Sequence, residues 1–298
     1  LPSESLFERA RALHRWPLWE QFWMAVLDGP VWGYGWGQVS VAQVSISQAY
    51  PVPLMVEHSH NILLDILIWN GPLLGGGVIL VTSIWLARLG WRAHSIEGVF
   101  CLIVAGFVLV HGMLEFPLEY GFFLFPVGML LGAAAGEQRS TFEWVVPRWL
   151  VGGVLASSLG MFYWVWHEYR LIEEDHRLMR FETARIGELK AEQTTADVVL
   201  LTQLREFIRF ARTPASEGMS EEHLEWMRKV AHRYPYPPSL FRYSLALALN
   251  EQAAQAHEQL MILRDLHGDK HFEEGVRAFG QMAAEHPQLN DVLQHLAL

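Results

Sequence analysis

Residues 57–80 read EHSHNILLDILIWNGPLLGGGVIL, and the interpretation of the whole chain starts from this stretch. Its second half is apolar enough to enter a bilayer, while His58, His60 and Asn61 stand immediately before the apolar run. Polar and titratable groups beside a lipid-facing helix are costly, and they usually mark a functional site. The stretch therefore predicts a membrane helix whose outer end carries residues with a chemical task.

Three more apolar segments follow, which gives four candidate spans: Pro72–Ala87 (extended back to Ile62 in one interpretation), Val99–Leu114, Tyr120–Ala135 and Trp149–Trp166. Each is somewhat shorter than the ~20 residues that a ~30 Å hydrocarbon layer requires. Flanking Trp, Tyr and Arg residues extend the reach by lying in the interface. A buried helix of a soluble core explains any one segment, but four in succession with glycine-rich faces favour packed membrane helices. The predicted fold class is all-α, with a multi-pass membrane helix bundle.

The distribution of charge predicts an orientation and three parts. Arg88 and Arg92 follow the first span, Arg139 and Arg148 follow the third, and the connection 115–119 has no Lys or Arg. The positive-inside rule then places 1–61 and the tail from residue 167 outside, which is the periplasm of a Gram-negative cell. The predicted parts are a periplasmic loop region (1–71), transmembrane helices (72–166) and a periplasmic helical domain (167–298). The tail has apolar positions at helical spacing and short paired segments that resemble a tetratricopeptide-type array.

Composition limits the function classes. The net charge of −10 argues against nucleic-acid binding, which needs a clustered basic face. Cys101 is the only cysteine, so no intrachain disulfide can form. No Met precedes Leu1 and no signal-peptide pattern is present, so we expect the chain to be the carboxyl-terminal portion of a longer protein.

Two amino-terminal motifs supply candidate binding residues. Arg15 and Trp19 are four residues apart and share a face if the segment is helical. Residues 28–38 read DGPVWGYGWGQ, where glycines alternate with rings that include Tyr34 and Trp36. This pattern predicts a tight backbone with stacking rings and is not a phosphate loop, because no Gly-Lys-Ser/Thr follows. Arg15 is interpreted either as an interfacial arginine or as a bidentate partner for a diphosphate.

Two histidine motifs follow. His58 and His60 alternate with Ser59, so an extended segment would point both rings to one side. His111 lies within an apolar helix about one turn from Glu115, and either a packing hydrogen bond or a headgroup site explains it. A metal site needs three or four ligands, and few donors lie nearby, so we predict no metal.

In this order, Arg-x-x-x-Trp (15–19), Pro-x-x-Gly-x-Gly-x-Gly (30–37), His-Ser-His-Asn (58–61) and His-x-x-x-Glu-Phe-Pro-Leu (111–118) resemble the O-antigen ligase and polymerase superfamily. Within it, the last motif and the helical tail resemble the bacterial protein O-oligosaccharyltransferases of the PglL (pilin glycosylation) type. The match covers nearly the whole chain and is strongest over 11–136. Each motif alone is modest, and the ordered set is specific.

The resemblance implies a catalytic pair in the periplasmic loop region, with Arg15 and His60 at the positions of the family's essential arginine and histidine. It implies a donor oligosaccharide on undecaprenyl diphosphate, a Ser or Thr acceptor in an exported protein such as pilin, a location in the inner membrane bilayer, and no cofactor. Residues expected to bind substrate are His58, Asn61, Tyr34, Trp36, His111, Glu115 and Tyr120.

Two alternatives remain open. Within the superfamily, the same chemistry serves an O-antigen ligase acting on lipid A core or a polymerase acting on another glycan, and only the acceptor differs. In a different class, the apolar helices are an anchor and the tail is a non-enzymatic scaffold in envelope assembly.

Overall fold

A computed structural model of the protein describes residues 15–138, 146–183 and 195–297. Within these ranges the regular elements are helices and no strand occurs, which confirms the predicted all-α class. The helices are α1 (Arg15–Asp28), α2 (Val39–Ile46), α3 (Ile62–Trp91), α4 (Ile96–His111), α5 (Gly121–Gly136), α6 (Arg148–Thr183), α7 (Thr202–Arg212), α8 (Glu221–Arg233), α9 (Pro237–Leu249), α10 (Ala253–His267), α11 (Asp269–Met282) and α12 (Leu289–Ala297), with a 3₁₀ turn at Pro117–Glu119.

The chain divides into two compact units, which are described separately. The first contains the described residues up to 138 together with 261–272, and the second contains 146–260 and 273–297. The division into a loop region, a membrane region and a tail, made from the sequence, stays a prediction. The candidate site belongs wholly to the first unit.

The four apolar segments are helical, but they differ in length. α3 and the Arg148–Arg180 part of α6 are long and apolar enough to cross a membrane, with mean hydropathies of 1.7 and 1.3. α4 and α5 have 16 residues each, or about 24 Å at 1.5 Å per residue, which is less than the ~30 Å of a hydrocarbon layer. Two helices therefore qualify as spans by length and composition, and the bundle of about four stays a prediction. α6 also continues to Thr183, well beyond the predicted end of the fourth segment.

α3 is broken at Gly71–Pro72, where Gly71 has φ 72° and ψ 172°. Pro72 has no N–H, so the carbonyl of Ile68 loses its helical partner. The backbone N–H of Tyr34 donates to that carbonyl at 2.8 Å, and the N–H of the next residue donates to the carbonyl of Trp69 at 3.0 Å. The loop 28–38 therefore replaces the hydrogen bonds that the break removes.

Two glycines make this contact close enough. A Cβ built on Gly71 would lie 1.9 Å from the carbonyl oxygen of Val31. A Cβ on Gly33, whose φ is +76°, would lie 2.4 Å from the nitrogen of Gly71. The alternating glycines thus bring backbone against backbone, which the sequence interpretation of stacking rings did not include.

The first unit has its core where α1, α2 and the start of α3 meet. Fully buried side chains there include Phe22, Val39 and Ile68. Burial of apolar surface stabilises the folded state by ~25 cal/mol per Å². The packed helices therefore support the segment that connects α2 to α3. That segment, 47–61, contains both histidines of the His-Ser-His-Asn motif.

Two buried glutamines fix the approach to that motif. Nε2 of Gln43 donates to Oε1 of Gln21 at 3.0 Å, and both side chains are almost fully buried. Gln21 also donates to the carbonyl of Tyr50, while Gln43 donates to the carbonyl of Leu54 and accepts from the N–H of Val56. Since buried amides without partners are costly, these bonds specify one path for residues 50–56.

The second unit contains α6 to α9 and most of the tail. The Glu168 carboxylate, on α6, accepts the backbone N–H groups of Val199, Leu200 and Leu201 at 2.8–3.0 Å. Ser220 caps α8, because its hydroxyl accepts the N–H of His223. The tail is helical in its described part, and its likeness to a tetratricopeptide array stays a prediction.

Candidate active site

The His-Ser-His-Asn motif is held by its serine. Ser59 is fully buried; its N–H donates to Oδ1 of Asp65 at 3.0 Å, and its hydroxyl donates to the carbonyl of Asn61 at 3.0 Å. The carbonyl of Ser59 accepts from Nε1 of Trp19 on α1, also at 3.0 Å. The motif is therefore attached to α1 on one side and to α3 on the other.

Asn61 begins α3. Its Oδ1 accepts the N–H groups of Leu63 (3.0 Å) and Leu64 (3.5 Å), which satisfies donors that a helix start leaves free. His60 precedes Asn61 and has a φ of +56°, a left-handed backbone conformation that residues other than glycine rarely adopt. The predicted extended segment is therefore wrong at His60, because the cap and the buried serine force the chain to turn there. Asn61 was predicted to bind substrate, and its oxygen is already used by the helix.

Arg15, Glu115 and His60 meet at one carboxylate. Nη2 of Arg15 donates to Oε1 of Glu115 at 2.5 Å, and Nδ1 of His60 lies 2.8 Å from Oε2 of the same group. The side chains of Arg15 and Glu115 are each 38% exposed and that of His60 is 28% exposed, so solvent and ligands can reach all three. Residues one hundred positions apart in sequence are thus brought together, as the ordered motifs implied.

A second pair lies beside the first. Nδ1 of His58 is 2.7 Å from Oε1 of Glu119, on the 3₁₀ turn. The ring of Phe116 separates the two histidines: it stacks on His58 at 4.7 Å and meets His60 edge-on at 5.3 Å. Partial burial lowers the pKa of His58, but Glu119, assisted by Asp65, outweighs this and raises that pKa above its ordinary 6.5.

His58, Asp65 and Glu119 also form a group of possible metal ligands. One donor atom from each lies within 4.8 Å of the other two, and the Asp65 carboxylate is buried. The spacing of these three donors would suit a cation. Our prediction of no metal stays a prediction.

The remaining predicted residues lie in two places. Trp36 is stacked on Trp69 at 4.8 Å beside the break in α3, with 72% of its surface exposed. The hydroxyl of Tyr34 bonds within the first unit, to Ser45 at 2.9 Å and to the carbonyl of Ala25 at 3.3 Å. These aromatic residues form a second location, and in the described part of the chain no contact joins them to the histidine pairs.

Tyr120 and His111 flank the turn that carries the two glutamates. Tyr120 is 46% exposed, and its ring lies 5.9 Å from that of Phe116, next to the histidine pairs. His111 is the exposed last residue of α4, and its carbonyl accepts the N–H of Glu115 at 2.9 Å. Its backbone thus places Glu115, while its ring stays outside the cluster.

Sequence reasoning did not single out Glu119 and Phe116 as site residues. A signal was present, because Glu115 and Glu119 are both carboxylates of the short connection 115–119, which has no Lys or Arg to pair with them. Only Glu115 received a role in the sequence analysis.

Comparisons with known proteins show which family the chain resembles. A protein-family model described as "Virulence factor membrane-bound polymerase, C-terminal" matches residues 99–279. The chain is 28% identical over 267 residues to a protein of Acinetobacter baylyi named "General O-oligosaccharyltransferase", covering 89% of this chain and 46% of that relative. It is 34% identical over 132 residues to the "ComP-specific O-oligosaccharyltransferase" of the same organism, covering 44% of this chain and 24% of the relative.

The chain thus spans less than half the length of these curated relatives. No solved structure matches it significantly. The family model, described as membrane-bound, covers more than half of the chain. The resemblance to bacterial protein O-oligosaccharyltransferases, predicted from the motifs, is confirmed. The chain belongs to the family described as "Virulence factor membrane-bound polymerase, C-terminal".

Proposed function

We propose that this chain carries reacting residues of a membrane enzyme that moves an oligosaccharide en bloc from undecaprenyl diphosphate to a Ser or Thr hydroxyl of an exported protein such as pilin. The printed names of the two relatives support transfer of an oligosaccharide to protein. The observation that carries the proposal is the meeting of Arg15 and His60 at the Glu115 carboxylate, since a diphosphate-binding cation and a proton acceptor are what the reaction needs.

Arg15 is the proposed diphosphate ligand. A lipid diphosphate is already a good leaving group, so the enzyme mainly has to orient the partners and stabilise the negative charge that develops as the glycosidic C–O bond breaks. A guanidinium can hold two phosphate oxygens at once and keeps its charge throughout. Arg15 is exposed enough for a phosphate to reach it, and it lies beside the proposed base.

His60 is the proposed general base for the acceptor hydroxyl. Imidazole is the side chain best suited to accept a proton near neutral pH, and positioned bases contribute about 10²–10⁴-fold to rate. Nδ1 of His60 faces Glu115, which leaves Nε2 as the nitrogen that can meet an acceptor. No metal, nucleotide or other cofactor takes part in the proposed reaction.

The other predicted residues are proposed to contact substrate. Trp36 offers a broad exposed ring to stack against sugar or to lie in the membrane interface. Tyr120 lies beside the histidine pairs, and His58 belongs to one of them. The first sugars and the acceptor would lie at this place. Asn61, Tyr34 and His111 have a structural role instead: the Asn61 amide caps α3, the Tyr34 hydroxyl bonds to Ser45, and the His111 carbonyl accepts the N–H of Glu115.

We further propose a multi-pass location in the bacterial inner membrane, with 1–61 and 167–298 in the periplasm. The two long apolar helices and the description of the family as membrane-bound support this placement. Trp164, Trp166 and Tyr169 lie near the outer end of the apolar part of α6, where aromatic residues commonly mark the membrane interface. A helical periplasmic tail suits the docking of a protein acceptor.

A polymerase is the second candidate, because the matched family model is itself described as a polymerase. The donor chemistry would be the same, with the growing glycan as acceptor, and a ligase would use lipid A core instead. On the scaffold alternative, deletion of the tail would abolish function while His60→Ala would leave it intact.

The test uses the full-length protein in cells that carry a lipid-linked glycan and a candidate pilin, with the intact mass of the pilin as the readout. We expect a glycan-sized increment with wild type that disappears in His60→Ala at equal membrane levels. His94→Ala is the matched control, since His94 is exposed beyond the opposite end of α3 and should leave the increment unchanged. Glycan found on lipopolysaccharide or in longer polymer, with pilin unmodified, would refute transfer to protein.

A further inference from the structure

One carboxylate is shared by the two residues that carry the proposed reaction. Oε1 of Glu115 accepts from Arg15, and Oε2 faces Nδ1 of His60. A carboxylate can only accept hydrogen bonds, so the proton of a neutral His60 resides on Nδ1 and Nε2 carries the lone pair. Glu115 therefore sets the tautomer that a general base requires, and it lies where it can stabilise the imidazolium that forms.

The position of Glu115 is built into the fold. Its N–H is bonded to the carbonyl of His111, and the buried Pro117 begins the 3₁₀ turn that follows. The N–H of Ile62 donates to the carbonyl of Gly112 at 2.9 Å, so the end of α4 is tied directly to the start of α3. These backbone bonds hold Glu115 opposite His60 and do not depend on the Arg15 contact.

The Arg15 contact can therefore be exchanged. Both partners are more than a third exposed, and an exposed ion pair contributes little to stability. A diphosphate offers the same guanidinium more negative charge and more acceptor oxygens than one carboxylate does. Binding of the donor would release Glu115 from Arg15 while leaving it beside His60.

We propose that Glu115 is a positioning residue that couples donor binding to base activation. The Glu115 carboxylate binds Arg15 until the lipid diphosphate takes its place on the guanidinium. Glu115 then hydrogen-bonds to His60 alone. The acceptor hydroxyl gives its proton to Nε2 of His60 as its oxygen bonds to the anomeric carbon. The bond from that carbon to the diphosphate oxygen breaks, and its electron pair leaves with the lipid diphosphate. This inference rests on the proposed function and replaces substrate binding as the role of Glu115.

The experiment measures transfer by the full-length enzyme in detergent from a synthetic polyprenyl-diphosphate oligosaccharide to purified pilin, at several pH values. Glu115→Gln keeps the size of the side chain and removes its charge. We expect kcat to fall about 10²-fold, while the KM for donor falls because Arg15 has lost its competing anion. A lower kcat together with tighter donor binding distinguishes the positioning of His60 from a general loss of structure, which would weaken both.

In the described part of the chain, the charged groups near the two histidines are Arg15 on α1, Glu115 and Glu119 at the turn, Glu57 before the motif, and Asp65 on α3. Glu119→Gln is therefore the matched control. It removes an equal charge from the same turn but faces His58, so kcat and the KM for donor should change much less than in Glu115→Gln. Glu115→Asp keeps the charge and should recover part of kcat.

The outcomes separate the two proposals. Absence of transfer by wild type refutes the proposed function itself. Transfer by wild type together with an unchanged kcat and an unchanged KM for donor in Glu115→Gln refutes the coupling alone. A higher KM for donor with unchanged kcat would mean that Glu115 binds substrate, which also refutes it.

Discussion

Replacing Gly71 by alanine should separate the loop 28–38 from α3. At φ 72° and ψ 172° the backbone of Gly71 lies in a region that is essentially restricted to glycine, and side chains forced into such regions cost about 1–3 kcal/mol. The added Cβ would also lie 1.9 Å from the carbonyl oxygen of Val31, so the loop must move. Movement breaks the bonds from Tyr34 and Gly35 to the carbonyls at the break, at about 0.5–1.5 kcal/mol each.

The expected total is a loss of about 4 kcal/mol, from the backbone conformation and the two hydrogen bonds together. This is a large fraction of the 5–15 kcal/mol by which folded proteins are usually stable. The control is Gly76→Ala on the same helix, where a Cβ meets nothing within 4 Å. Alanine favours the helix over glycine by up to about 1 kcal/mol, so this variant should match or exceed wild type.

The assay is thermal unfolding of the purified full-length protein in detergent, followed by tryptophan fluorescence. Gly71→Ala should unfold several degrees below wild type, with an altered spectrum at the outset because the Trp36–Trp69 stack sits on the displaced loop. If Gly71→Ala and Gly76→Ala unfold together with wild type, the docking of the loop contributes nothing and the reasoning is wrong.

Three further predictions concern the histidine motif. Asn61→Ala removes the cap of α3 and should cost about 1 kcal/mol, seen as a lower unfolding midpoint that Asn61→Asp largely restores. Glu119 raises the pKa of His58 above 6.5, so the His58–Glu119 pair contributes its full share to the free energy of unfolding below pH 6.5. This share is lost as the pH rises through the raised pKa, and the stability of Glu119→Gln should not show that loss. Transfer activity should survive EDTA and extensive dialysis, since the proposed reaction uses no metal; loss of activity with EDTA, restored by one divalent cation, would indicate a metal at His58, Asp65 and Glu119.

The sequence alone was enough to predict the apolar helices and several residues of the candidate site. Apolar runs predicted the helices α3 to α6, because burial or lipid exposure of such runs leaves few other structures. The family resemblance implied that Arg15 and His60 form a catalytic pair and that Glu115 binds substrate; the structure places the Glu115 carboxylate in contact with both side chains, and the roles stay predictions. The left-handed conformation of His60 was missed, since it follows from bonds that Ser59 makes to residues on both sides.

Long-range backbone contacts were the other part that the sequence did not predict. A proline inside an apolar run signals a break, but nothing local says which segment will satisfy the freed carbonyl of Ile68. The loop 28–38 does so only because Gly33 and Gly71, far apart in sequence, both lack a side chain at the point of contact. The contact between Gly33 and Gly71 can be recognised only in the structure, because the packing of α1, α2 and α3 determines where the loop and the break in α3 meet.

The balance of charge in the cluster argues for exchange at Arg15 over simple addition of the donor. Three carboxylates, those of Glu115, Glu119 and Asp65, stand near one guanidinium and two imidazoles. A diphosphate placed beside the intact Arg15–Glu115 pair would face this negative charge with no free cation on Arg15. In the proposed exchange the donor takes the guanidinium instead, and the Glu115 carboxylate is left to hydrogen-bond His60 alone. Hydrolysis by water in place of the acceptor would then be limited by the same contact that binds the donor, because Glu115 orients His60 alone only in the complex.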